Sequence, residues 1–309
     1  MKNRILFGHL LTLVTIIIWG TTFVSTKILL REFNPVEILF YRFLIAFLLL
    51  WIIYPKSIKV NNLREELLFL GLGLSGITLY FLVENIALQF TLAANVGLLI
   101  SAAPILTATA AHFTTPDEKF KQNLLIGFLA AFVGIFLVIF NGKFVLKINP
   151  LGDFLALLAS IVWAVYSVLL KKVNQAYHPV FIVRKTFFYG LLTIWPLLLL
   201  FKADFRPEHS MAWTTILNIL FLGIFASALC FVMWNQAVKL IGVVKTSNYI
   251  YLVPLITMIT SIIILHEKVN WLMILGGVLI FGGVYIAEHG LKVKVIADRK
   301  QVTASTQRE

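Results

Sequence analysis

The feature that most constrains this sequence is a succession of apolar runs, each about twenty residues long. A helix needs about twenty residues to cross a hydrocarbon core about 30 Å thick, and within that core the backbone must satisfy its own hydrogen bonds. Charged side chains make up only 13% of the chain, about half the share that is typical of a soluble domain. The sequence therefore predicts an all-α integral membrane protein.

The runs predict ten membrane-spanning helices that are joined by short links. Turn signals such as Asn34-Pro35, Asn149-Pro150 and His178-Pro179 mark several of these links. We place the spans at about residues 8–30, 36–54, 64–88, 91–113, 122–140, 152–172, 179–201, 212–238, 242–265 and 271–289. Residues 291–309 are predicted to form a polar cytoplasmic tail.

The distribution of Lys and Arg predicts the orientation of the spans, because these residues are retained on the cytoplasmic side during insertion. With the N-terminus inside, fifteen of the 26 Lys and Arg residues fall in the cytoplasm, six outside and five within the spans. Both termini of a multi-pass protein of the cell membrane are then cytoplasmic. The basic residues are scattered between apolar runs, so the lipid bilayer, and not nucleic acid, is the expected partner of this charge.

The two halves of the sequence resemble one another. An offset of 144 residues relates Gly8, Trp19, Lys27, Pro35 and Phe43 to Gly152, Trp163, Lys171, Pro179 and Phe187. An offset of 150 relates Asn85, Ala87, Pro104 and Thr107 to Asn235, Ala237, Pro254 and Thr257. These matches predict two five-helix repeats, at residues 1–141 and 142–290. Because five is odd, the second copy must be inverted, and two inverted copies enclose a site near the midplane that can open to either side.

The repeated pattern resembles the EamA unit of the drug/metabolite transporter superfamily. The first copy carries Trp19-Gly20-Thr21-Thr22-Phe23, Lys27, Asn34-Pro35 and Arg42, and the second carries Trp163, Lys171, Pro179 and Arg184. The second copy departs from the pattern where Ala164 follows the tryptophan and where Arg184 lies two positions early. The resemblance covers about residues 8–290 and implies ten spans, an inverted repeat, and export or uptake of amino acids, metabolites or drugs.

Glu84, near the end of the third span, is the carboxylate most clearly separated from the predicted links. A charge at membrane depth costs about 3 kcal/mol or more unless it is paired, hydrated or able to reach the interface. Glu84 is therefore a candidate to bind a substrate amine or a coupling proton. The alternatives are a carboxylate that reaches the outer interface and a structural partner of Arg42. We interpret Lys27 and Arg42 as snorkelling or structural residues.

Aromatic and amide side chains near span centres are candidate walls of a substrate pathway, because rings supply apolar contact and amides supply orienting hydrogen bonds. Each of them also has the alternative role of packing helices or anchoring at the interface. With Glu84, the candidate substrate-binding residues are Trp19, Tyr80, Asn85, Asn95, Trp163, Tyr166, Trp234, Asn235, Asn248 and Tyr251.

Pro104 and Pro254 occupy matched positions inside the fourth and ninth spans, where a proline removes a backbone hydrogen bond and kinks a helix. We treat them as candidate gating residues, with a static bend as the alternative. The glycines of the fifth and tenth spans allow close helix contact, either within one chain or in a homodimer.

These features predict a secondary transporter, gradient-driven or facilitative, that works by alternating access. Export of small metabolites such as amino acids or amphipathic drugs is the favoured activity. A membrane channel and a membrane-embedded enzyme without a recognisable catalytic motif are the alternatives. No metal site or cofactor is expected, because the six histidines lack metal-ligand spacing and the sequence has no phosphate-binding glycine loop. The proton is a candidate coupling ion.

Overall fold

The computed structural model describes residues 2–56, 60, 62–91, 93–114, 122–140, 149–174, 177–204, 212–265 and 271–289. Within these ranges the chain is helical and contains no strand. The predicted polar tail at 291–309 lies outside the described residues.

The helices follow the predicted spans closely. In chain order they are α1 (Lys2–Leu29), α2 (Pro35–Ile53), α3 (Leu63–Phe90), α4 (Ala93–Ile100), α5 (Ala103–Thr114), α6 (Gln122–Phe140), α7 (Pro150–Asn174), α8 (Pro179–Leu200), α9 (Trp213–Ile241), α10 (Val243–Asn248), α11 (Val253–Leu265) and α12 (Trp271–His289). A short 3₁₀ segment, Tyr249–Leu252, joins α10 to α11.

The start of α2 shows how local sequence sets a helix boundary. The Asn34 side chain accepts hydrogen bonds from the backbone N–H groups of Val36 and Glu37, both at 3.0 Å. The Glu37 carboxylate in turn accepts from the Asn34 backbone N–H at 3.0 Å, which completes a capping box. Pro35 occupies the first helical turn, where the lack of an N–H costs nothing. The Asn34-Pro35 signal thus marks the beginning of α2 as predicted.

Six of the described helices, α1, α2, α3, α7, α8 and α9, are long and apolar enough to cross a membrane, and α6 and α12 contain shorter apolar stretches. Their outward faces carry large apolar side chains such as Leu63, Leu199 and Trp213, which are 75%, 74% and 76% exposed. Such a surface is compatible with lipid and not with water. The prediction of an all-α integral membrane protein is confirmed.

Two regions that the sequence predicted as continuous spans are divided in the structure. The predicted span at 91–113 is split between α4 and α5, and the one at 242–265 passes through α10, the 3₁₀ segment and α11. Pro104 and Pro254 are each the second residue of the helix that follows the break. They therefore do not kink a continuous helix, because a proline in the first helical turn removes no intrahelical bond.

Helices α3 and α9 share a different irregularity. Residues Leu74–Leu79 of α3 and Phe221–Leu229 of α9 are π-helical. Such wide turns are rare and frequently lie at functional sites. Hydropathy does not detect them, because the residues are as apolar as their neighbours.

The helix packing has a matching partner in each half. Helix α1 packs against α9, and α7, its counterpart in the second half, packs against α3. Likewise α1 packs on α11 while α7 packs on α5, and α2 packs on α9 while α8 packs on α3. The other two principal pairs are α2 with α8 and α6 with α12. In each of these pairs a helix packs against its own counterpart in the other half.

The α6–α12 contact brings two backbones together through glycine. A Cβ atom built on Gly283 would lie 2.6 Å from the backbone oxygen of Gly127, and one on Gly134 would lie 2.6 Å from the backbone oxygen of Gly276. These four glycines pack helices within one chain, which is one of the two roles the sequence left open. A Cβ atom on the neighbouring Gly282 would meet no atom within 4 Å.

Candidate functional site

A small cavity, with a volume of about 50 Å³, lies between the two halves. Helix α1 contributes Trp19 and Thr22, α3 contributes Tyr80 and Glu84, and α7 contributes Trp163. Apolar residues of α1, α3, α4, α5, α11 and the 3₁₀ segment complete the wall together with Arg42 of α2. The cavity is therefore built from both halves of the chain.

Aromatic rings form one side of this cavity. Trp19 and Trp163, which occupy matched positions in the two halves, meet edge to face with ring centroids 5.5 Å apart. Tyr80 lies 4.9 Å from Trp163, and Trp234 supports Trp19 from behind at 5.0 Å. The edge-to-face contact of the two tryptophans is a preferred arrangement of aromatic rings, and the other two pairs are tilted. An apolar wall suits a solute with a hydrophobic part.

Glu84 places a carboxylate in this apolar surrounding. Its side chain is only 7% exposed and lines the cavity. Among the described residues, no side chain or backbone group forms a hydrogen bond or an ion pair with its carboxylate. Buried charges are ordinarily paired, so the Glu84 carboxylate is available to a solute.

Arg42 is the second charged residue of the cavity and is 3% exposed. Its guanidinium lies over the rings of Phe81 and Phe43, at 4.4 Å and 5.0 Å from their centroids, and its Nε donates a hydrogen bond to the Ser227 Oγ at 3.0 Å. The charges of Arg42 and Glu84 interact, but the two side chains form no direct ion pair. The interpretation of Arg42 as a snorkelling residue is wrong, because its side chain turns inward.

The sequence contained a signal that could have identified Arg42. Arg42 lies seven residues after the start of α2, and Glu84 lies six residues before the end of α3. Because consecutive spans run in opposite directions, the two positions share a depth. In the second half, the offsets of 144 and 150 place Thr186 and Trp234 at the corresponding positions. The charged pair thus occurs in the first half alone.

Arg184 does not reproduce Arg42. It donates hydrogen bonds to the backbone oxygens of Tyr54 and Lys56, just beyond the end of α2. Lys185 forms an ion pair with Glu66 at 2.7 Å. Both basic residues of α8 therefore join helix ends and do not line the cavity. Lys27 is exposed, as expected for a snorkelling side chain.

Several predicted residues are buried but do not line the cavity. The Nδ2 atoms of Asn85 and Asn248 and the Nε1 of Trp234 have no hydrogen-bond partner among the described residues. The Asn235 Nδ2 donates a hydrogen bond to the backbone oxygen of Phe231 at 2.8 Å, while Tyr166 and Tyr251 pack in the core. The side chain of Asn95 lies outside the described residues. The two prolines are not in the wall either, but Ala103 and Val253, which precede them directly, are.

Comparison with known proteins identifies a single family. A family model described as the EamA-like transporter family matches the chain twice, at residues 6–140 and 150–287. The chain is 30% identical to a protein of Archaeoglobus fulgidus named "Uncharacterized transporter", over 90% of this chain and 96% of that protein. It is 26% identical to proteins of Salmonella typhimurium and Escherichia coli, each named "Probable amino-acid metabolite efflux pump", over 92% and 91% of this chain and 95% of each relative.

A solved crystal structure shares the fold. It superimposes with a TM-score of 0.75 at 18% sequence identity, over 91% of this chain and 97% of the other chain.

Proposed function

We propose, because this chain belongs to the EamA-like transporter family, that it exports amino acids or similar amphipathic metabolites by alternating access. The family and the named relatives are membrane transporters and not enzymes. A small-molecule solute and the lipid bilayer are accordingly the partners of the chain. The enzyme alternative is thereby removed.

The proposed architecture is ten spans in two inverted repeats, at residues 1–141 and 142–290. The protein is proposed to lie in the cell membrane, with both termini in the cytoplasm. The exchange of packing partners between the halves supports a twofold relation, and the two separate matches of the family model support a duplication. Inversion then follows from the odd number of spans in each unit.

Cysteine labelling tests the inversion. We expect Arg4→Cys, at the start of α1, to react with a membrane-impermeant maleimide only from the cytoplasmic side, and Leu151→Cys, at the start of α7, only from outside. Both native side chains are exposed, whereas the single native cysteine, Cys230, is buried and supplies no background. Reaction of both engineered residues from one side would refute the inverted repeat.

The observation that carries the proposed solute class is the Glu84 carboxylate, which forms no direct ion pair or hydrogen bond with a described residue, in an aromatic cavity shared by both halves. A carboxylate at membrane depth that lacks such a direct bond suits a solute that brings its own positive charge. The ammonium group of an amino acid supplies that charge, and an apolar side chain fills the aromatic part of the cavity. The names of the Salmonella and Escherichia relatives favour the same class.

Reconstitution tests this proposal. The purified protein in vesicles should move labelled apolar amino acids faster than protein-free vesicles do, and the uptake should saturate. Repeating the assay with and without a pH gradient tests the proton as the coupling ion. Failure to move any member of a broad panel of amino acids and amphipathic amines would contradict the proposed function, and a non-saturating flux would instead favour a channel.

Gating by the matched prolines remains a proposal. Pro104 and Pro254 are the second residues of the helices that follow the two breaks, next to residues of the cavity wall. We expect Pro104→Ala and Pro254→Ala to lower the transport rate about threefold with solute affinity retained, because joining the broken segments restricts their movement. Pro196→Ala is the control, since Pro196 lies inside α8 on an exposed face. Unchanged turnover in both Pro104→Ala and Pro254→Ala would end the gating proposal.

A further inference from the structure

The π-helical segment Phe221–Leu229 of α9 contacts two cavity residues of the opposite half. The backbone oxygen of Ala226 accepts a hydrogen bond from the Trp19 Nε1 at 2.9 Å. The next residue, Ser227, accepts from the Arg42 Nε at 3.0 Å. In a regular α-helix the carbonyl of Ala226 would be engaged within the helix, whereas a π-helical turn shifts the backbone pairing. One irregular turn thus fixes both Trp19 and Arg42.

The bond to Ser227 determines which part of Arg42 remains available. It engages Nε, and the two terminal nitrogens form no hydrogen bond with any described residue. The guanidinium lies over two adjacent aromatic rings, and Arg42 is 3% exposed at the cavity wall. A planar guanidinium with two free nitrogens binds a carboxylate through two parallel hydrogen bonds. The free edge of Arg42 is therefore suited to a carboxylate of the solute.

We infer that Ser227 is a positioning residue that fixes Arg42 to bind the carboxylate of a zwitterionic solute, whose ammonium group lies at Glu84. This inference rests on the proposed function, which makes the cavity the solute site. It adds the requirement that the solute carry a free carboxylate. Arg42 binds the solute directly, whereas Ser227, which is fully buried, acts through Arg42 alone.

A matched set of ligands separates the carboxylate from the rest of the solute. L-phenylalanine and L-leucine carry a carboxylate, and L-phenylalaninamide and L-leucinamide replace it with a neutral amide while retaining the ammonium group. Affinities for the four compounds are measured by calorimetry on the full-length protein in lipid nanodiscs. Wild-type protein should bind each amino acid about tenfold more tightly than its amide, as expected for a charge-assisted hydrogen bond.

The variant Ser227→Ala removes the hydroxyl that orients Arg42. We expect it to weaken binding of the two amino acids about tenfold and to leave binding of the two amides unchanged. Ser75→Ala is the control, because Ser75 is a buried serine in the π-helical segment of the other half and its hydroxyl bonds only its own helix, at Gly71. It should leave all four affinities unchanged.

Arg42→Lys provides a second test, so that the inference does not depend on whether Ser227→Ala folds. Lysine retains the positive charge but lacks the planar edge, so the preference for the carboxylate should fall, and adding Ser227→Ala should then have no further effect. Equal losses for acids and amides in Ser227→Ala, or an unchanged preference, would overturn the inference. Wild-type protein that binds none of the four ligands would contradict the proposed solute class, and the inference with it.

Discussion

Replacing Glu84 with glutamine is expected to weaken the binding of apolar amino acids by about 10- to 100-fold, which is the loss of one charge-assisted contact in a site removed from water. Glutamine has nearly the same shape, so the cavity keeps its volume and its aromatic wall. The loss should be specific to the ammonium group. Binding of 3-phenylpropionate, which lacks that group but retains the ring and the carboxylate, should not weaken.

The effect of Glu84→Gln on stability should be small by comparison. The substitution removes the cost of a buried carboxylate, but it also removes a negative charge that faces Arg42, and these two effects oppose one another. No direct bond to a described residue is lost. Binding by calorimetry and the unfolding temperature are measured on the same samples. The control is Glu32→Gln, because Glu32 is exposed just after α1 and the glutamine oxygen can still accept the hydrogen bond from Thr215. Unaltered amino-acid affinity in Glu84→Gln would exclude this carboxylate from the solute site.

Replacing Gly283 with leucine is expected to destabilise the protein by about 3 kcal/mol or more, at the upper end of the cost of overpacking. A Cβ atom at this position would lie 2.6 Å from backbone atoms of both Gly127 and Ala131. Backbone cannot move aside as a flexible side chain can, so α6 and α12 must separate to admit the new side chain. Separation of α6 and α12 removes a contact between the two halves.

Gly282→Leu is a closely matched control for this substitution. It introduces the same side chain one residue earlier on the same helix, where a Cβ atom would meet nothing within 4 Å. Thermal unfolding in detergent, followed by gel filtration, should show a lower transition for Gly283→Leu and little change for Gly282→Leu. Equal transitions for the two variants would contradict the packing of α6 on α12.

The positions of the helices were predictable, because the free-energy cost of leaving backbone groups without hydrogen bonds in lipid permits few structures other than helices. The length of each apolar run and the turn signals between them identify the helices well, as at Asn34-Pro35. Glu84 stood out for the same reason, since an isolated carboxylate in an apolar run is costly wherever it points. The structure places it with Trp19, Tyr80 and Trp163 around one cavity.

The features that the sequence did not predict depend on where side chains point and on how the backbone turns, and not on composition. Whether a long basic side chain turns to the headgroups or inward is decided by partners on distant helices, and for Arg42 these are Phe81 and Ser227. The π-helical turns and the breaks before Pro104 and Pro254 do not change mean hydropathy. The amides of Asn85 and Asn248 were reasonable candidates but lie buried outside the cavity.

The restriction of both cavity charges to the first half has a consequence for the direction of transport. The two halves resemble one another in sequence, but Thr186 and Trp234 stand where Arg42 and Glu84 would recur. In the alternating-access mechanism proposed above, a dipolar solute would therefore meet different chemistry when the cavity faces the cytoplasm and when it faces outside. In the inverted arrangement proposed above, the two halves present the same helix order to opposite sides of the membrane, so any preference for loading on one side and release on the other would come from these few side chains.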